Sequence, residues 1–552
     1  MSIPISRHHE GDTHQKVQPR TLYRDVGMLQ KSLAPVTSAD QFKSPEMLNK
    51  PRASVEIYNF FSHEARLRQP SSLKAGSAGL PLNIISLSTG RPSPDTYPFH
   101  AMDFTFTDPQ LGAALEAGVT AKSCPTGFQT RTASVARNEP AAAIDIAIAL
   151  SYGYSQGHEQ LIQYLTTHIS LVHSPPYSDW EVCLTVGNTS ALEITLRNFA
   201  NPGDSILVEE YTYSGAIEVA RPLGISLIPT QMDNCGPCPS SLDRTLSSWA
   251  VDYPGRPKPR ILYTIPTGQN PTGITQPLER RLAILKVAEA HDLLVLEDDP
   301  YYYLQFPKSD DSYFSTIIPS YLALCRTGRV IRLDSTSKIL APGLRLGWLT
   351  APKTVVEAYQ ASHDLGVVHP SGLSQLVTFK LLSETWGHGG FEEWLQSLAQ
   401  HYQHKANGTL HACRKLLGTG PLGTVCSWST IQAGMFIWLK ISCAQYPRLN
   451  DKFQTTKSIE TIRLEIEDEI YSNALERGVL CSKGSFFEVP ALPRSARAKT
   501  EEQSSTELST GHRRGWQDLN VHFRLTFASE DETDVVKGLE TLAGTLKDIF
   551  EL

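Results

Sequence analysis

From about Ile84 onward, short apolar runs alternate with longer amphipathic segments. That alternation is the pattern of an α/β domain built on a largely parallel sheet. The clearest strand-like runs are Ser205 to Val208, Arg260 to Thr264, Leu293 to Leu296 and Val330 to Leu333, and each gives way to polar or Gly/Pro-containing residues. Open α/β sheets bind ligands at the carboxyl ends of their strands, so these exits are where functional residues are expected. Beyond Pro352, helical stretches dominate, Phe391 to Leu416 most clearly, before strand-like segments at Met435 to Leu439 and His522 to Thr526. A second lobe is expected there. Residues 1 to about 80 read as an arm packed on the main body, with a short apolar patch at Ile57 to Phe61. Two stretches read as surface insertions, Ala444 to Ser458 and Pro493 to Arg514, the latter lacking apolar periodicity.

Composition narrows the function classes. Fifty Lys and Arg against 57 Asp and Glu give a net charge of −7, which argues against a broad surface for nucleic acid or acidic membranes. The Ala-rich run after Pro140 is broken by Asp145, so no apolar stretch approaches the roughly 18 residues of a spanning helix. The first thirty residues are polar and carry His8, His9, Glu10 and Asp12, without a secretory apolar region. A soluble, intracellular protein is expected. Nine cysteines, sparse and odd in number, fit a reducing compartment. Cys235-Gly-Pro-Cys238 has redox-motif spacing, but Pro239 and the Pro/Ser/Asn-rich surroundings predict a loop rather than a strand feeding a helix.

Four segments carry candidate chemistry. In Asp334-Ser-Thr-Ser-Lys338-Ile-Leu-Ala-Pro-Gly-Leu-Arg345, a lysine just past a strand could form a Schiff base with a phosphate-bearing aldehyde. Ser335, Ser337 and Arg345 would then hold the phosphate, although such lysines are commonly solvated surface residues. In Glu297-Asp298-Asp-Pro-Tyr301, Asp298 could pair with a protonated ring nitrogen and Tyr301 could reach a ring oxygen, with Glu297 and Asp299 as rival carboxylates and helix capping as the plainer role. Pro266-Thr-Gly-Gln-Asn270-Pro-Thr-Gly273 holds a side-chain amide rigidly after another strand, and is also a strong turn sequence. Gly187-Asn188-Thr189-Ser190 opens a helix whose free N–H groups could bind an anion, or forms an ordinary cap. Downstream, Tyr213 in Tyr213-Ser-Gly215 is placed to stack on a planar ring.

Together these segments resemble the fold-type I, pyridoxal-phosphate-dependent aminotransferases of class I/II. The resemblance is greatest to the fungal branch acting on aromatic amino acids, 2-aminoadipate and kynurenine, and runs from about Ile84 to the C-terminus with the motifs in the family's order. It implies a large domain over 81–355 with a mostly parallel seven-stranded sheet, and a smaller α+β domain over 356–552 with a mobile insertion near 493–514. Residues 1–80 would be an arm adding to the small domain or to dimer contacts. It also implies roles: Lys338 carries pyridoxal 5'-phosphate, Asp298 pairs with the pyridine nitrogen, Asn270 and Tyr301 bind the ring oxygen, and Tyr213 stacks on the ring. Gly187, Asn188, Thr189, Ser335, Ser337 and Arg345 cradle the phosphate, with Tyr152 reaching the phosphate of the neighbouring subunit in a homodimer.

Arg524 in His522-Phe-Arg524-Leu matches the family's late arginine for the substrate α-carboxylate, and Gly90 in Ser88-Thr-Gly90-Arg matches the segment that closes over the substrate. Gly434 matches a small-domain strand. The sequence departs from the family at Asn188-Thr189, where Ser-Gln is frequent, at Lys483-Gly484, where Pro-Gly is common, and at Thr89, which replaces a frequent glycine. The implied reaction passes the amino group of Trp, Tyr or Phe to a 2-oxo acid in the cytoplasm, giving an aryl-pyruvate that would suit secondary metabolism. 2-Aminoadipate and kynurenine are the alternative donors. Transcription regulators on this fold form a different class, and residues 1–80 show no helix-turn-helix pattern that would point to one.

Overall fold

Seven strands form the central sheet of the computed structural model, which describes residues 37–69, 90, 92–109, 130–137, 144–308, 312–447, 449, 458–493, 495 and 519–552. In chain order these are β1 (Trp180–Thr185), β2 (Ser205–Glu209), β3 (Ser226–Thr230), β4 (Ile261–Thr264), β5 (Leu294–Asp298), β6 (Val330–Ser335) and β7 (Gly347–Pro352). Their spatial order is β1-β7-β6-β5-β4-β2-β3. Every pairing is parallel except those of β7, which runs antiparallel to both β6 and β1. All residues of β1, β2 and β4 to β7 are buried, because helices cover both faces of such a sheet and its strands therefore read as near-continuous apolar runs.

A second sheet of four antiparallel strands holds β8 (Cys426–Trp428), β9 (Phe436–Ser442), β10 (Ser482–Lys483) and β11 (Asn520–Thr526), in the order β8-β9-β11-β10. Side chains alternate along β11. Val521 and Phe523 enter a core with Ile462, Ile466, Leu542 and Leu546 from two helices, while His522 and Arg524 fall on the other face. The 30-residue helix Gly387–Leu416 serves both lobes: Phe391, Leu395 and Ala399 belong to the large core, Ala406, Leu410 and Cys413 to the small one. The two cores thus part midway along this helix rather than at 355, since a helix roughly 45 Å long can bridge them.

The described part of the arm adds to the large body. Ala39 N donates to Glu181 Oε2 at 2.7 Å, Lys43 Nζ donates to the Ser178 and Trp180 carbonyls, and Ser62 N donates to Asn198 O at 2.8 Å. The expected loop after Cys238 is instead a helix, Pro239–Ser247, with Pro239 in the first turn, where its missing N–H leaves no bond unmade. Cys235 lies in the turn of the preceding hairpin, and both thiols are free. Residues 1–36, 70–89 and most of both expected insertions lie outside the described residues.

Candidate active site

Five of the sheet's strands deliver their carboxyl ends to one place. β1 leads to Gly187 and Asn188, β2 to Tyr213, β4 to Asn270, β5 to Asp298 and Tyr301, and β6 to Lys338. The helix Asn188–Phe199 starts at Gly187, whose φ of 85° suits glycine, and no side chain caps its first turn. Its N–H groups stay available beside three side chains. Ser335 Oγ donates to Ser337 Oγ at 3.0 Å, and Arg345 reaches Ser337 Oγ at 3.3 Å and Val186 O at 3.1 Å. Arg345 holds a left-handed backbone, φ 47°, and a Cβ on Gly187 would stand 2.5 Å from its Nη2. Hydroxyls, a guanidinium and a helix start therefore converge as a phosphate site requires. Thr189 is exposed at that helix start.

The three consecutive acidic residues separate by strand alternation. Glu297 and Asp299 turn to one face, where Arg332 Nη1 lies 2.9 Å from Glu297 and 3.5 Å from Asp299, while Arg332 Nε and Nη2 clasp Asp334 at 2.9 and 2.7 Å. All four are buried, and burial pushes the Asp299 carboxyl up to about 8 against the pull of Arg332. Asp298 turns to the other face. Tyr263 OH donates to its Oδ2 at 2.8 Å and Asn188 Nδ2 to its Oδ1 at 2.7 Å. Burial raises the Asp298 pKa, while Asn188, Tyr263 and then Arg332 lower it. The side chain of Asn188, expected to face a phosphate, is thus bonded to the sheet.

Asn270 lies close enough to the Tyr301 hydroxyl to favour its ionised form, and its Oδ1 accepts from Arg524 Nη1 at 2.7 Å. Arg524 also donates to Ser482 Oγ at 3.2 Å and lies between the rings of Phe436 and Phe487, 4.6 and 4.7 Å from their centroids. Lys338 is half-buried, and its amine pKa is lowered by burial, then by Arg524 and Arg345. Tyr213 folds its ring over Gly215, where a Cβ would sit 2.4 Å from Cε1. The loop bearing Asn270 is held by Glu209: Thr264 Oγ1 and Gln269 Nε2 donate to this carboxylate at 2.7 and 2.8 Å, and burial pushes it up to about 7.

Two expected residues remain outside this cluster. Gly90 is exposed, with no described residue within 4 Å of where a Cβ would stand, and the residues on both sides of it are outside the described set. Tyr152 is 56% exposed. Tyr263, Glu209 and Arg332 belong to the site's surroundings without having been singled out by the sequence. Tyr263 sits within an apolar strand and gives no cue, whereas Glu209 ends its strand as Asp298 does and could have been found by the same rule.

The donor set suits pyridoxal phosphate. An anion cradle stands at one end, a buried carboxylate lies at a neighbouring strand end, a half-buried lysine has a lowered pKa, and an amide lies close to a phenol. Residues 124–508 match the family Aminotransferase class I and II. The chain belongs to this family of pyridoxal-phosphate-dependent enzymes, and its fold is fold-type I. It is 38% identical over 493 residues to the aminotransferase swnA of Arthroderma benhamiae, covering 87% of this chain and 88% of that one. An aromatic amino acid aminotransferase of Schizosaccharomyces pombe is 35% identical over 512 residues, covering 90% and 98%. Among solved structures, the aminotransferase Aro8 from Candida albicans superposes with a TM-score of 0.77 at 31% identity, covering 91% of this chain and all of that one.

Proposed function

We propose that this aminotransferase passes the amino group of an aromatic L-amino acid, Trp, Tyr or Phe, to a 2-oxo acid and so produces an aryl-pyruvate. The observation that carries the reading is Arg524 poised beside Asn270, with Lys338 close enough to both Arg524 and Arg345 to feel their charge. The aromatic preference is supported by the kinship with the aromatic amino acid aminotransferase of Schizosaccharomyces pombe.

Pyridoxal phosphate supplies an electrophilic aldehyde and, through its protonated ring, a sink for the electrons of the substrate's Cα–H bond. The other tasks fall to side chains. Arg524 grips the α-carboxylate with its planar fork, which orients Cα toward Lys338. Lys338 would hold the cofactor covalently and, once free, would act as general base toward the Cα proton of a substrate oriented by Arg524. Its lowered pKa leaves more of the free amine near neutral pH. Asp298 would keep the ring nitrogen protonated, Asn270 and Tyr301 would bind the ring oxygen, and Tyr213 would cover the ring. The Gly187 to Thr189 helix start, Ser335, Ser337 and Arg345 anchor the phosphate.

We further propose a cytoplasmic homodimer in which the exposed Tyr152 completes the partner's phosphate site, and Gly90 belongs to the segment that closes over substrate. Among the described residues no helix is long and apolar enough to cross a membrane. The test is a spectroscopic half-reaction in which Trp, Tyr, Phe, kynurenine and 2-aminoadipate are added singly to the holoenzyme. Conversion to the aminated cofactor is expected with the aromatic donors. Conversion only by 2-aminoadipate or kynurenine would replace the donor class, and conversion by none would overturn the reading.

A further inference from the structure

Asn188 occupies the first position of its helix, yet its side chain leaves the helix start and turns down to the sheet. Nδ2 donates both to Asp298 Oδ1 at 2.7 Å and to the Leu333 carbonyl at 3.1 Å. Both partners are acceptors, so the amide cannot be reversed without losing both bonds. Among the described residues its buried Oδ1 has no hydrogen-bond partner, an unusual state for a polar atom. Gly347 on β7 packs beside it: a Cβ there would stand 2.4 Å from Asp334 O and 2.9 Å from Thr185 Oγ1, and in ordinary contact with Asn188 Oδ1 at 3.4 Å. Across the carboxylate, Tyr263 on β4 donates to the remaining oxygen.

We propose that Asn188 is a positioning residue for Asp298, fixing the direction of its carboxylate and favouring its charged form, while the phosphate is held without the Asn188 side chain. The proposal rests on the cofactor site described above. A buried carboxylate retains its charge only when donors replace the water it lost. Here the donors on its two oxygens are an amide and a phenol, both neutral, which stabilise the charge without cancelling it. With Tyr263 on Oδ2, the Asn188 amide on Oδ1 gives each Asp298 oxygen one donor, and the same amide is tied to the sheet through Leu333 O.

The experiment uses holoenzyme loaded with pyridoxal phosphate labelled with 15N in the ring, comparing wild type with Asn188→Ala. NMR follows the protonation of the ring nitrogen against pH, and equilibrium dialysis gives the cofactor dissociation constant. The nitrogen of the variant is expected to lose its proton at least one pH unit lower than wild type, with the dissociation constant changed less than threefold. An unchanged nitrogen titration overturns the proposal, and a tenfold weaker constant beside it would make Asn188 a phosphate ligand. A variant that fails to fold is replaced by Asn188→Ser, which keeps a good helix-start residue and removes the amide, with the same expected and contrary results. Wild-type protein that takes up no cofactor would instead strike the reading of the site itself.

Discussion

Arg524 Nη1 donates to Asn270 Oδ1 at 2.7 Å, which ties a strand of the small lobe to the loop that follows β4 of the large one. The same guanidinium lies between Phe436 and Phe487, so its direction is set by packing as well as by the amide. A substrate carboxylate meeting it would find a fork already aimed.

Arg524→Lys keeps the charge and loses the planar fork. Hydrogen bonds to charged groups contribute about 1.5–3 kcal/mol, so kcat/KM for every amino-acid donor is expected to fall roughly 10- to 100-fold. Steady-state kinetics with two donors of different side chain checks this. An unchanged kcat/KM would remove Arg524 from carboxylate binding.

Arg332 pairs with Glu297, Asp299 and Asp334 in a buried cluster, with buried Arg281 as a further cation acting on Asp299. Arg332→Met leaves these carboxyls without their common partner, and breaking a buried ion pair in this way costs about 3–5 kcal/mol. Urea unfolding of the holoenzyme is expected to show a loss of that order. A variant as stable as wild type would contradict the role of Arg332 as the cluster's common partner.

Acid should weaken the fold through buried histidines. Burial, followed by His369, lowers His158 to about 4; burial, then Lys440 and Arg463, lowers His522 to about 4; and burial, then His388 and Arg332, lowers His168 to about 3. A depressed folded-state pKa means that the unfolded chain binds more protons below its ordinary value near 6.5, so stability is lost as pH falls from there toward 4. The loss approaches about 1.4 kcal/mol per pH unit for each histidine in that window. Chemical denaturation at pH 7.5, 6, 5 and 4.5 checks the trend, with His522→Gln expected to flatten it. Stability that is level over this range would contradict it.

Much of the site was readable because strand ends in an α/β sheet are marked by the change from apolar to polar residues. Asp298, Tyr301, Asn270 and Lys338 each follow such a boundary. What could not be read depends on the direction of a side chain. Alternation along β5 gives Glu297 and Asp299 to Arg332 and leaves Asp298 facing the cleft, a separation that three adjacent acids do not reveal until the sheet is built. Tyr263 sits inside an apolar strand with no polar neighbour to mark it, and Asn188 took a phosphate role from the resemblance alone; the acceptors beneath it, Asp298 and Leu333 O, come from strands more than a hundred residues away. The passage from one core to the other is hard to read for another reason. The apolar stripe of Gly387–Leu416 continues unbroken while the core it faces changes.

The role of Lys338 as the cofactor's anchor can be tested by trapping the covalent bond. Holoenzyme treated with borohydride, which makes a lysine–cofactor linkage permanent, is digested and mapped by mass spectrometry beside Lys338→Ala. The adduct is expected on Lys338 in wild type and absent from the variant, with no measurable amino transfer by a variant that still folds. An adduct on a different lysine, or amino transfer at the wild-type rate by Lys338→Ala, would contradict the assignment.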